Sequence, residues 1–217
     1  MRKLFFTALL LVMILSAYAQ QDITKFMGIP VDGSKSEMIK KLEKKGFKYD
    51  YRNDYLTGEF NGYDVTVHVV TNNNKVYRIA IFDEKWCNET DIKIRFNNLC
   101  TQFEKTGRYV PLDWYKDQHL TDDDDISYIM RVENKRIEAA YCQINSKEDL
   151  FKEVMDYQID IPKQVTDTVG LFTDVLMGFW EQLSKRTVWF MIDEKYGKYQ
   201  ILMFYDNAYN KANGDDL

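Results

Sequence analysis

Histidine and cysteine are scarce in this chain, two and three among 217 residues, and proline occurs only three times. The first two shortages narrow metal binding and nucleophilic chemistry, because imidazole and thiolate supply most ligands and bases near neutral pH. The third, beside 45% hydrophobic and 15% aromatic residues, excludes a disordered or low-complexity polymer. Three familiar signatures are missing as well: a glycine-rich phosphate loop, a G-x-S-x-G elbow and an H-E-x-x-H pair. Nothing in the sequence asks for a cofactor, and none is expected.

Long apolar runs are also few. One stands out, Leu4 to Leu15, behind Arg2 and Lys3 and ahead of Ala17-Tyr18-Ala19. It is short against the ~20 residues that span a bilayer and has the layout of a secretory signal cleaved after Ala19. Gln20, where a lipoprotein needs cysteine, would begin the mature chain. The expectation is a soluble protein of the periplasm or cell exterior, without stable membrane insertion and not a lipoprotein. Acidic residues outnumber basic ones, 34 to 29, and losing Arg2 and Lys3 with the leader deepens the imbalance. Such a surface repels phosphate backbones, so no nucleic-acid partner is expected. Lys40, Lys41, Lys44 and Lys45 read as the solvated side of one short helix.

Beyond the leader the pattern alternates between helical and strand periods. Ser34-Lys35-Ser36-Glu37 is a capping box; Met38, Ile39 and Leu42 follow as a buried stripe, and Gly46 supplies a left-handed stop. Tyr55 to Phe60, Tyr63 to Thr71 and Val76 to Phe82 read as a three-stranded meander through Asn61-Gly62 and Asn72-Asn73-Asn74, with Val65, Val67, Val69, Ile79 and Ile81 inward. Asp91 to Lys105 is a helix with Ile92, Phe96, Leu99, Cys100 and Phe103 inside and Lys93, Arg95, Asn97, Asn98 and Gln102 outside. Two strands are expected at Ile126 to Glu133 and Arg136 to Ile144, then a helix from about Ser146 to Tyr157 and another carrying Val165 to Leu183. A hairpin of Val188 to Asp193 with Tyr199 to Tyr205 turns at Gly197, and Asn207 to Leu217 is expected to fray. The fold class is therefore α+β, an antiparallel sheet of hairpins and a meander with helices packed on one face. The organisation reads as a signal at 1–19, a first module at 20–110, an acidic loop at 111–125 and a second α+β module at 126–217. A single continuous domain is the alternative.

Candidates for chemistry are few. His68 shares a strand face with Asp64 and Thr66, a possible base, although any solvent-facing strand offers such a trio; His119 has no assignable partner. The run Asp122 to Asp125 and the group Asp206, Asn207, Asn210, Asn213, Asp215 and Asp216 are oxygen-rich, but neither has the spacing of an EF-hand. Asn88-Glu89-Thr90 reads as helix-start chemistry. Cys100 and Cys142 are the candidate disulfide, against buried thiols acting as small hydrophobes. With 15 tyrosines, 13 phenylalanines and four tryptophans, some rings should reach the surface and grip a ligand. The candidates are Tyr63, Tyr77, Trp86, Tyr109, Trp114 and Tyr115.

Four stretches carry a resemblance: Phe26 to Ser34, Val70 to Ile79, Ile94 to Leu99, and Tyr205 to Asn207 with Asn213 to Leu217. Together they resemble a group of uncharacterised exported proteins of Bacteroides-type gut bacteria, along nearly the whole mature chain. Asp167-Thr168-Val169 resembles the short O-glycosylation signal of such proteins, which makes Thr168 a candidate acceptor. In element order alone the chain is similar to β-lactamase-inhibitor-like proteins and the SmpA/OmlA outer-membrane-assembly lipoproteins, which implies protein binding through an open sheet face. The first expectation is thus a non-enzymatic exported binding or assembly module for a protein or glycan of the cell envelope. A small periplasmic hydrolase acting on glycan or peptidoglycan is second, and a calcium-responsive periplasmic protein third.

Overall fold

The computed structural model describes residues 23–113, 117–146, 149–150, 180–181 and 183–212. The expected leader, Trp114, Tyr115, Thr168 and nearly all of the helical stretches expected between Ser146 and Leu183 lie outside them.

The described chain begins with a small hairpin, β1 (Lys25–Phe26) and β2 (Ile29–Pro30). Helix α1 (Lys35–Glu43) begins at the predicted capping box, Ser34 accepting from the Glu37 amide and Glu37 from the Ser34 amide. After it come β3 (Lys48–Asp50), β4 (Tyr55–Phe60), β5 (Tyr63–Asn72) and β6 (Lys75–Asp83). Helix α2 (Glu89–Lys105) is capped by Asn88, whose side chain accepts from the Asp91 amide. Then follow β7 (Tyr109–Pro111), α3 (Ile126–Arg131), β8 (Glu138–Gln143), β9 (Thr187–Lys195), β10 (Lys198–Asp206) and a short 3-10 turn at Ala208–Asn210.

Strands β3 to β10 make one antiparallel sheet in the order β3-β4-β5-β6-β10-β9-β8-β7. Both halves of the chain contribute to it, and the seam is β6 against β10. The hairpin turns Met27-Gly28, Asn61-Gly62, Asn73-Asn74 and Tyr196-Gly197 all hold two consecutive residues at positive φ, the geometry whose twist matches that of the flanking strands. Gly58 answers a different demand. A Cβ there would lie 2.6 Å from the Phe47 ring, which folds over β4 after α1 ends.

One face of the sheet carries the core. Val65, Val67, Val69, Ile79 and Ile81 are buried there as expected, against Met38 and Leu42 of α1 and Ile92, Phe96, Leu99, Cys100 and Phe103 of α2. The β1–β2 hairpin closes one end of this layer, with Phe26 fully buried against Phe47, Phe60 and Tyr205. A smaller cluster of Cys142, Ile144 and Leu183, with Trp180 beside it, forms separately near β7 and β8.

Three expectations are corrected. Ile126 to Glu133 is not a strand: Asp125 caps α3 by accepting from the Tyr128 amide, and Ile126, Ile129 and Met130, spaced three and four apart, turn to the core. Arg95 is not outside; it is 5% exposed and paired with the 8%-exposed Asp83. The residues after β10 do not all fray. Asn207 donates to the Val31 carbonyl at 2.8 Å, and Asn210 donates to Asp32 Oδ1 at 2.7 Å and to the Val76 carbonyl at 2.8 Å.

Candidate functional site

Strand alternation sends every second residue of β4, β5, β6, β10 and β9 to the face opposite the core. The described helices α1, α2 and α3 all pack on the core side, and Trp180 and Leu183 pack with Cys142 and Ile144 beyond β9, so among the described residues the second face of these strands is built from strand side chains. Register determines which of them meet. His68 sits opposite Ala80, Phe204 opposite Ala80 from the other side, and Trp189 opposite Phe204. The small Ala80 leaves room for the larger rings around it.

The result is an aromatic band across five strands. Ring centroids are 5.5 Å apart for Tyr55 and His68, 4.9 Å for His68 and Phe82, 6.4 Å for Phe82 and Phe204, and 4.3 Å for Phe204 and Trp189. These spacings are those of favourable ring pairs. Tyr55, His68, Phe82 and Trp189 are each half-buried, which leaves part of every ring to the surface.

An ion pair braces one end of the band. Arg78 grips Asp206 through Nε–Oδ1 and Nη2–Oδ2, both 2.6 Å, and its guanidinium lies 4.8 Å from the Phe204 ring centre and 5.5 Å from that of Trp189. Trp189 Nε1 donates to Asp206 Oδ2 at 3.1 Å. One carboxylate therefore orients both the cation and the largest ring, and it raises the pKa of Arg78 further above its ordinary value. At the other end, burial pushes the His68 imidazole below its ordinary value, with Asp54 pulling the opposite way. His68 is thus a neutral ring at pH 7. The arrangement is suited to stacking and hydrogen bonding.

Of the aromatics chosen from sequence, the four among the described residues do not gather into one surface. Tyr63 stacks over the buried Arg95, 3.6 Å from its guanidinium carbon. Tyr77 is the extra residue at a bulge in β6, Trp86 stands exposed in the β6–α2 loop, and Tyr109 packs on Phe103 at 4.5 Å on the core side. What sequence reading missed is Tyr55, Phe82, Trp189, Phe204 and Arg78, and the pairing of Asp206 with Arg78 in place of the oxygen-rich group in which it was read. Their common signal was position: each alternates with a core residue on its strand.

Other candidates among the described residues have structural employment. His119 finds the partners that the sequence did not reveal: Nδ1 lies 2.9 Å from Asp117 Oδ1, and Nε2 lies 3.2 Å from Thr101 Oγ1. This carboxylate–imidazole–hydroxyl chain pins the loop to α2, one turn beyond Asn97, which clamps both backbone groups of Leu120 at 2.7 and 2.8 Å. In the aspartate run, Asp124 accepts from the Thr121 amide and hydroxyl while Asp125 caps α3. The Cys100–Cys142 bridge does not form. Cys100 lies under α2 on the core face, whereas Cys142 alternates with the core residue Tyr141 and its thiol donates to the Leu183 carbonyl at 3.0 Å. Burial pushes the Cys100 thiol up to about 11, which suits a packing residue.

Among the described residues, no helix is long and apolar enough to cross a membrane, and no group of three or more His, Cys, Asp or Glu side chains is placed to hold a metal ion. No protein-family model matches the chain, and no curated protein and no solved structure matches it either.

Proposed function

We propose that the chain is an exported, non-enzymatic binding or assembly module that grips a protein or glycan of the cell envelope with the second face of its sheet. The observation that carries this reading is the aromatic band from Tyr55 to Trp189, with rings partly open and ordered by the Arg78–Asp206 pair. Ordered rings contribute large contact area at small entropic cost, the usual make-up of a binding hot spot. The reading of an envelope partner rests on the leader-like pattern of Arg2 to Ala19 and on the resemblance to exported proteins of Bacteroides-type bacteria.

The test is capture from native cell envelope with the chain from Gln20 as bait, compared among wild type, a Tyr55→Ser/Trp189→Ser variant and Tyr196→Ser. Tyr196 is 92% exposed at the β9–β10 turn and serves as the control for a lost surface ring. A partner retained by wild type and Tyr196→Ser but lost from the double variant supports the reading. A partner captured equally by all three sinks it, as does hydrolysis of a peptidoglycan or glycan panel that His119→Ala abolishes.

A further inference from the structure

A second feature lies on the core side, away from the aromatic band. Between the Met27-Gly28 turn and the β7–β8 edge is a cavity of about 510 Å³, within the range of small-ligand sites. Its charge runs against the rest of the molecule. The chain carries a formal −5, yet the described lining includes Lys25, Arg108 and Arg186 and no carboxylate. Neither Lys25 nor Arg108 has an acidic side chain in ion-pair contact among the described residues. Positive charge gathered beside low-dielectric walls attracts an anion more strongly than the same charge in open water.

The remaining walls define what the anion carries. Ile23, Phe60 and Ile144 contribute apolar surface. The polar floor is tied down, since Gln143 accepts from the Lys25 amide at 2.6 Å and donates to the Lys25 carbonyl at 2.9 Å and to the Tyr109 hydroxyl at 3.2 Å. That side-chain amide acts as an extra peptide unit and fixes the backbone of β1, which carries Lys25, against the β8 edge. The backbone wall of the cavity is therefore fixed, the walls are mixed, and among the described lining residues the charge is of one sign.

We infer that this cavity binds a small amphiphilic carboxylate, its head on Arg108 and Lys25 and its tail on Ile23, Phe60 and Ile144. The planar fork of Arg108 matches a carboxylate, and apolar wall would be wasted on an inorganic anion.

Decanoate below its micellar concentration is the probe, with decanol and inorganic phosphate as the other arms, read by melting temperature and calorimetry on the chain from Gln20. Decanoate is expected to raise the melting temperature with concentration, as any ligand of the native state does, while decanol and phosphate do not. Lys25→Gln/Arg108→Gln is expected to raise the decanoate Kd about tenfold or more, the loss expected from removing charge-assisted contacts. Arg108→Lys, which keeps the charge and loses the fork, should fall between wild type and Lys25→Gln/Arg108→Gln, which separates lost charge from lost fold. Tyr55→Ser/Trp189→Ser should bind decanoate as wild type does, so this inference and the sheet-face reading fail independently. Equal effects of decanol or phosphate, or an unchanged Kd in the Lys25/Arg108 variant, would overturn it.

Discussion

Strand β6 contributes one member of an ion pair to each face of the sheet, and the pairs differ in their surroundings. On the core side Asp83 holds Arg95 of α2 at 3.1 Å, both almost sealed from water and roofed by Tyr63. On the other side Arg78 holds Asp206 at 2.6 Å, with side chains 23% and 17% exposed, and the pair supports Phe204 and Trp189. Burial raises the pKa of Asp83 despite the attraction of Arg95, so desolvation outweighs the partner there. The comparison teaches that the same chemistry serves different ends: the sealed pair dictates where α2 docks, at an energetic cost, and the half-open pair orders a surface.

Removing one partner of the sealed pair is the hardest blow to that contrast. Arg95→Met should destabilise by about 3–5 kcal/mol in urea unfolding, because an uncompensated carboxylate is left buried. Replacing both, Asp83→Leu with Arg95→Met, should recover most of the loss; if it does not, the pair is more than a docking device. Arg78→Met should cost less, roughly 1–2 kcal/mol after allowance for solvent, while abolishing envelope capture. Finding the two single losses reversed in size would break the comparison.

A smaller effect sharpens it through pH. The folded pKa of His68 lies below its ordinary 6.5, so the unfolded chain binds more protons between those two values. The stability contributed by neutral His68 is complete above about 6.5 and is lost as pH falls through the folded pKa. Wild type minus His68→Gln should therefore show a stability difference that shrinks on acidification from pH 7 to pH 5; a flat difference would mean that the imidazole is not desolvated in the band.

Much of the core face was legible, because a capping box, two-residue turns and the three-four spacing of α2 are local signals. The band was not. His68 lies with its ring neighbours Tyr55 and Phe82 inside the meander, but joining those rings to Phe204 and Trp189 depends on β6 pairing with β10, strands far apart in sequence, and no local pattern encodes that register. Arg95 misled for a related reason: one arginine beside a buried stripe reads as solvent-facing until Asp83 is placed beneath it. Ile126 to Glu133 misled differently, since its isoleucines favour strands while the cap at Asp125 and the packing of Ile129 and Met130 decide for helix.

The position of β10 also governs the order in which the molecule can be finished. Among the described strands, the last in chain order is the one that lies between β6 and β9, and the Thr24 hydroxyl pairs with the Asp206 carbonyl, 182 residues downstream. Until Lys198 to Asp206 are made, the β3–β6 meander ends in a bare edge of unpaired amides and carbonyls, a template for pairing with another chain. A chain that stops short of β10 is thus adhesive along the β6 edge, and making Lys198 to Asp206 is what closes it.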